Sequence, residues 1–386
     1  MRKIRVLLVE DNKTKRQKIR DEVETYFDRN VEVDTCDNFS LATQNIFQNE
    51  YELMILDLLL PRRTGDDPSD ISGELLEHVK ASEPNRHATC VAISAFGQAI
   101  EQHQLDFTKA GILLVKYGPS DDWKSCLNVC MQRVANKSCY DFVVLCALVK
   151  ERDAFEYVKE EGFALGEYVT SGAMDGREMS LGELRGICIV QAEMGLVDAG
   201  VLATKALDAF APSLICMSGI CGGFPGRAKL GGLIVSGSVW DHQAGKWTGN
   251  EFELRDYREN LEPDIRISLS QLVEDDPKLI GLRDGISEEM LPVVDAKVGP
   301  SVSGSAVIAS TLYGEKIARS HGKVAAVDME VYALYRAAKL HGRNVKFFAA
   351  KTVVDLANED KDDDYQHYGA VLSARFVTRS IRRVLA

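Results

Sequence analysis

Carboxylates stand at the ends of apolar runs in this chain, and they fall into two groups. Residues 4–9 stop at Glu10 and Asp11, and residues 53–56 stop at Asp57. Much later, residues 143–148 lead to Lys150 and Glu151, residues 324–327 lead to Asp328, Met329 and Glu330, and residues 347–354 lead to Asp355. If Glu10, Asp11 and Asp57 meet at one edge, their mutual repulsion calls for a cation. All-oxygen ligation suits Mg²⁺, which would neutralise a phosphoryl group as Asp57 attacks it. Ser94, after the run 91–93, and Lys116, after the run 112–115, would bind the new phosphoryl oxygens. The second group suits cleavage of an N-glycosidic bond. That reaction needs an acid for the purine, an anion to steady an oxocarbenium-like sugar and a base for water, with general acid–base groups worth roughly 10²–10⁴-fold each. Asp355, ending a long apolar run, is placed to be desolvated and to act as the acid. Glu330 can accept both ribose hydroxyl protons, and Glu151 can take a proton from water.

Helical patterns over 13–27 and 73–81 lie between the first apolar runs. Alternating strands and helices predict a parallel sheet with helices on both faces. The strand carboxyl ends then gather at one edge, where ligands bind. Helical character at 121–134 is followed by a short linker, 135–140, and a new strand begins near Tyr140. Two domains follow, 1–134 and 141–386, with a linker too short for a loose tether. The later runs, with helices over 198–210 and 331–340, predict a second α/β layer structure. Ser218–Gly223 (SGICGG) reads as a glycine-rich loop that lets backbone approach a ligand, although tight turns use the same residues.

The 386 residues accommodate two domains, and 45% hydrophobic content is ordinary for globular protein. The net charge of −12 argues against nucleic-acid binding through phosphates. No apolar stretch approaches the roughly 20 residues that span a bilayer, and the short run 6–9 reads as a buried strand rather than a signal peptide. Nine scattered cysteines without a C-x-x-C pair read as reduced thiols of a cytoplasmic protein. Cys126 and Cys130 share a helix face and read as core.

VLLVEDN with Glu10 and Asp11, LDLLLP with Asp57, ISA with Ser94 and VK with Lys116 resemble the receiver domain of bacterial response regulators, over about residues 1–133. The resemblance implies a flavodoxin-like domain with a five-stranded parallel sheet. It also implies Asp57 as phospho-acceptor, Mg²⁺ on Glu10, Asp11, Asp57 and the Leu59 carbonyl, and a sensor histidine kinase as donor. Three features depart from that family. Residues 62–70 are an insertion, Leu113 stands at the switch aromatic, and Tyr117 stands where a proline usually follows the lysine.

CALVKE, SGICGG, VSGSAVI, VDME and KTVVDLAN resemble the purine nucleoside phosphorylase superfamily, particularly the methylthioadenosine/S-adenosylhomocysteine nucleosidases, over about residues 141–386. The resemblance implies a phosphorylase-like α/β domain with a mixed central sheet and no cofactor for the nucleosidase chemistry. It assigns Glu151 to water activation and Ile220 and Gly222 to the ribose- and base-proximal segment. Met329 comes under the ribose, Glu330 on its hydroxyls, Lys351 at the usual arginine, and Asp355 at the purine. Val307 replaces the usual stacking phenylalanine and Asn358 a second aspartate, so Trp240 or an aromatic from 252–257 is a candidate stacking partner. A carboxylate near water favours hydrolysis over phosphorolysis.

The whole arrangement looks like the effector of bacterial defensive two-component systems (Detocs), which implies cleavage of ATP to adenine and ribose 5′-triphosphate under phosphotransfer control. A triphosphate needs cations, and Arg227 is the first candidate, with Lys229, Arg177, Arg255, Arg258 and Arg266 behind it. Residues 250–297 are long enough to build a lid or an oligomer contact, and a homo-oligomer is expected. Two alternatives stay open: a nucleosidase or phosphorylase of metabolism acting on methylthioadenosine, S-adenosylhomocysteine or AMP, and a non-catalytic nucleotide-sensing response regulator.

Overall fold

The computed structural model describes residues 4–28, 31–135, 140–249, 251–255, 257–274, 281–286, 295–342, 344–357 and 365–386. The chain divides into two compact units, 1–138 and 139–386. Most of the expected linker, and Asn358, lie outside the described residues.

The N-terminal unit is built on β1 (Ile4–Val9), β2 (Val31–Cys36), β3 (Leu53–Leu56), β4 (Thr89–Ser94) and β5 (Leu113–Lys116). Their order is β2-β1-β3-β4-β5 and every pairing is parallel. This is the doubly wound flavodoxin-like order. Period-2 alternation sends β1 side chains to two cores. Val6 and Leu8 join Ile19, Val23 and Leu127 on one face. Leu7 and Val9 join Ala42, Ile46 and Leu75 on the other. A strand covered on both faces reads as the continuous apolar run seen here. Helix α1 (Lys13–Tyr26) starts immediately after the sheet edge because the Asn12 side chain accepts from the N–H groups of Thr14 and Lys15, each at 3.0 Å. The insertion at 62–70 closes a small antiparallel hairpin, Leu59–Pro61 with Pro68–Asp70.

The C-terminal unit holds one ten-stranded mixed sheet. Its strands are β6 (Phe142–Cys146), β7 (Phe163–Ser171), β8 (Met174–Leu181), β9 (Leu184–Val190), β10 (Leu214–Gly223), β11 (Leu233–Asp241), β12 (Arg258–Asn260), β13 (Ala296–Ser303), β14 (Ala326–Asp328) and β15 (Lys346–Asp355). The order runs β12-β11-β13-β14-β10-β6-β9-β8-β7, and β15 pairs with both β10 and β11. The pairings β11–β13, β13–β14, β14–β10, β10–β15 and β15–β11 therefore close on themselves. Closure satisfies the strand edges internally and brings the ends of β10, β14 and β15 together. The C-terminal helix Gln366–Leu385 lies against this assembly with Val371, Leu372, Phe376 and Val377 buried, each worth about 1.5–3 kcal/mol of burial.

One expectation is corrected by this topology. Ser218–Gly223 is not a loop but the second half of β10, paired with β15 on one side and, at Gly222 and Gly223, with β14 on the other. Its glycines serve side-chain approach: a Cβ at Gly219 would run into the Glu151 carboxylate, and one at Gly222 would stand 2.9 Å from Asp355 Oδ1.

Candidate active site and acidic cluster

A cavity of about 700 Å³ opens in the C-terminal unit, and Glu151, Glu330 and Asp355 all line it. Glu151 sits in the short helix Val149–Asp153 that follows β6. Its carboxylate accepts from the backbone N–H groups of Ala147 (2.7 Å), Leu148 (3.0 Å) and Ile220 (2.9 Å). Burial raises its pKa above the ordinary carboxylate value, while Lys351 and the N–H of Ile220 pull it down. Glu330, just after β14, accepts from Lys351 Nζ at 2.7 Å, from Gly195 N at 3.2 Å and from Gln191 Nε2 at 3.3 Å. Asp355 ends β15, half-buried, and accepts from the N–H of Ala357 at 2.9 Å.

Lys351 is a buried member of β15. Burial alone would lower its pKa, but Glu330, Asp328 and Glu151 outweigh that and hold it above its ordinary value, a fixed cation. Asp328, which ends the run 324–327 but to which the sequence reading gave no role, also lines the cavity. It accepts from Ser303 Oγ (2.6 Å) and from the N–H groups of Glu330 (2.9 Å) and Val331 (3.1 Å). An acid two residues before Glu330, at the start of a helical run, was the available signal. Ile220, Gly222, Met329 and Val307 line the same space, with Met194, Ile308, Val354 and Lys150.

The remaining candidates are placed elsewhere. Arg227 does not line this cavity: its guanidinium donates to the carbonyls of Ala318 (2.6 Å) and His321 (2.7 Å), tying down the end of the helix Thr311–Arg319. Arg177 pairs with Glu156 at 2.7 Å, and the exposed Lys229 approaches Asp295 at 3.9 Å. Arg258 lies over the Trp240 ring, and Arg266 reaches the Gly237 carbonyl at 3.4 Å. Trp240 is no stacking partner for a base in the cavity, being fully buried in a cluster with Phe224, Val302 and Ile308. Phe252 packs on Trp247 instead. Among the described residues, the apolar part of the cavity lining is aliphatic and thioether rather than aromatic.

In the N-terminal unit, Glu10, Asp11 and Asp57 offer carboxylate oxygens that all lie within 4.8 Å of one another. Leu59 and the buried Ser94 line the same pocket. Lys116 does not; it is exposed, with its ammonium over Gly97. The cation facing Asp57 is Lys15, whose Nζ lies 2.7 Å from Asp57 Oδ2 and 2.6 Å from Glu10 Oε2. Burial pushes the Glu10 carboxyl up to about 7, against the pull of Lys15.

The Phosphorylase superfamily profile matches residues 141–385, and the chain belongs to that superfamily. Within it, the 5′-methylthioadenosine/S-adenosylhomocysteine nucleosidase of Maridesulfovibrio salexigens is 30% identical over 204 residues, covering 52% of this chain and 78% of that protein. The uncharacterized protein y4jS of Sinorhizobium fredii is 25% identical over 414 residues, covering 99% of this chain and 100% of y4jS, so the likeness runs through both units. The solved 5′-methylthioadenosine/S-adenosylhomocysteine nucleosidase of Helicobacter pylori matches with a TM-score of 0.52 at 16% identity, over 63% of this chain and 98% of that one. At that identity the likeness speaks for the fold. Among the described residues, no helix is long and apolar enough to cross a membrane.

Proposed function

We propose that the C-terminal unit hydrolyses the N-glycosidic bond of an adenine nucleotide, ATP to adenine and ribose 5′-triphosphate. We further propose that the N-terminal unit is a phospho-acceptor receiver controlling it, as in the effector of an antiviral two-component system. One observation carries the hydrolytic reading: Glu151, Glu330 and Asp355, from three distant segments, line one cavity of about 700 Å³, a size suited to a nucleoside-sized ligand. Glu330, oriented by Lys351 and Gly195, accepts the ribose hydroxyl protons. Asp355 donates to the purine as the bond to the sugar lengthens. Glu151, held by three backbone N–H groups, takes the proton of the attacking water. The fused architecture, which extends through y4jS, supports control by the N-terminal unit.

Glu10, Asp11 and Asp57, with the Leu59 carbonyl, are the groups that would hold Mg²⁺, and their all-oxygen donor set fits it. Bound there, Mg²⁺ supplies charge neutralisation for a phosphoryl group on Asp57. A sensor histidine kinase is the proposed donor, a homo-oligomer the proposed working form and the cytoplasm the proposed setting.

A second reading is favoured by a specific feature. Met194, Ile220, Val307, Ile308 and Val354 give the cavity an apolar lining that would suit an alkylthio nucleoside such as methylthioadenosine. Incubation of the full chain with ATP, AMP and methylthioadenosine, followed by product analysis, separates the two. Free adenine with a ribose triphosphate is expected; ADP with phosphate would sink the glycosidase assignment, and strong preference for methylthioadenosine would move it to the second reading. Asp57→Ala, treated alongside with an acyl phosphate, should lose any acceleration that the acyl phosphate gives the parent chain.

A further inference from the structure

The ammonium of Lys15 has three N–H donors and no acceptor. All three are used: Glu10 Oε2 at 2.6 Å, Asp57 Oδ2 at 2.7 Å and the Ile93 carbonyl at 2.6 Å. The residue is 4% exposed, and its Nζ lies 5.4 Å from the centroid of the Tyr117 ring, which packs in turn on Trp123. Tyr117 is one of the residues at which this chain leaves the receiver pattern. The Asn12 cap fixes Lys15 in the first turn of α1, so its stem is aimed back at the sheet edge. Lys116, the expected cationic partner of Asp57, is directed elsewhere.

We propose that Lys15 is a tethered cation of the acidic cluster, competing with a divalent metal for Glu10 and Asp57, so that metal entry requires its displacement. The proposal rests on reading Glu10, Asp11 and Asp57 as a metal-binding set. An ammonium bonded to two of the three carboxylates occupies the lone pairs that a divalent ion would need. It also lowers the local negative charge that attracts the ion. Its release leaves a void beside Tyr117 and three carboxylates free to take the doubly charged ion. The N-terminal unit would thus have a metal-free form locked by its own lysine and a metal-loaded form in which that lysine is free.

The test uses the full chain and Mg²⁺ alone. In calorimetric titrations, Lys15→Met and Lys15→Gln should bind Mg²⁺ roughly tenfold or more tightly than the parent chain, since one competing charge is gone. Equal or weaker binding by both variants overturns the competition while leaving the metal-binding set intact. Absence of Mg²⁺ binding in the parent and both variants overturns the metal-binding reading and the proposal together. A second measurement needs no variant. In a short pulse of an acylating reagent on the parent chain, followed by mass spectrometry, Lys15 labelling should rise severalfold on adding Mg²⁺. Lys351, equally buried in the other unit, should stay unlabelled in both conditions and Lys116 labelled in both. Lys15 labelling that is unchanged at saturating Mg²⁺ overturns displacement.

Discussion

Each unit buries one lysine ammonium among carboxylates at strand ends, but the two clusters are held together differently. In the C-terminal unit, Glu151 is fixed by three backbone N–H groups, Asp328 by two with Ser303, and Glu330 by Gly195 and Gln191. Lys351 neutralises charge there and helps to orient Glu330, but backbone N–H groups hold Glu151 and Asp328 without it. In the N-terminal unit, Lys15 itself joins Glu10 to Asp57. Backbone support at that edge is thinner: Asn12 N donates to Glu10 at 3.0 Å, and Leu58 N (2.7 Å) and Leu59 N (3.5 Å) donate to Asp57. A backbone-held cluster is preorganised for chemistry. A cluster held by one side chain can change its cation.

The largest effects should come from the acids of the backbone-held cluster. Glu151→Gln and Asp355→Asn should each lower turnover by about 10²–10⁴-fold or more. Thermal unfolding of Asp355→Asn should be near that of the parent, because its amide oxygen can still accept from Ala357 N–H. Glu151→Gln keeps the Ala147 and Leu148 bonds on its one oxygen but turns its NH2 toward the Ile220 N–H, and should unfold at a somewhat lower temperature while remaining folded. If either variant keeps more than about a tenth of the parent turnover, less than the smallest acid–base contribution expected, its residue is not the base or the acid.

The two lysines should then respond oppositely to metal. Lys351→Met strands Glu330 in a buried site and should cost about 3–5 kcal/mol of stability, read by denaturant unfolding of the C-terminal unit's transition. Lys15→Met should also destabilise its unit in EDTA. Mg²⁺ should restore the transition of Lys15→Met and leave that of Lys351→Met where it was, since a ligand stabilises only the fold that binds it. Rescue of both, or of neither, would erase the contrast between the clusters.

How much of this was legible without coordinates depends on where the determining information sits. Strand ends are local: an apolar run stopping at Asp57 or Asp355 announces itself, and the edge at which such ends gather follows from parallel alternation. Hence Glu10, Asp11 and Asp57, and likewise Glu151, Glu330 and Asp355, could be grouped from the sequence, and each group shares a pocket. Helix boundaries such as 331–340 were equally local. Lys15 was not legible, because a lysine in the first turn of a helix is ordinarily a solvated charge and only the tertiary path of α1 buries it. Arg227 misled for the converse reason. A triphosphate's need for cations made it a candidate, whereas the carbonyls at a distant helix end engage its Nη1. SGICGG looked like a loop because glycine weakens strands. Here the missing side chains are what let Glu151 and Asp355 pack against β10.

The pH profile sharpens the role of the backbone-held cluster further. Burial raises the Glu151 carboxyl, and Lys351 is the leading influence against that rise. The base is active as the carboxylate, so kcat should fall as pH drops through this raised value, at a pH above the ordinary carboxylate range. Removing the ammonium should raise the value further. The acid limb of residual turnover in Lys351→Met should therefore move to higher pH. A limb that stays in place, or moves to lower pH, would detach Glu151 from the acid limb.

The smallest effect concerns the cavity's other lysine. Lys351 is committed to Glu330, whereas Lys150 lines the cavity, is exposed, and among the described residues makes no ion pair. A cation at that position would meet a charged 5′ substituent and gain nothing from a neutral one. Because it is solvated, its contribution is modest, and Lys150→Met should lower kcat/KM for ATP by about tenfold, the scale of one charge-assisted contact. The same variant should leave kcat/KM for methylthioadenosine within about twofold, the experimental spread of a lost surface charge. The ratio of the two values is the discriminating quantity, because folding defects lower both together. An unchanged ratio would remove Lys150 from phosphate recognition and favour the apolar lining, and so a neutral nucleoside, as the determinant of what enters.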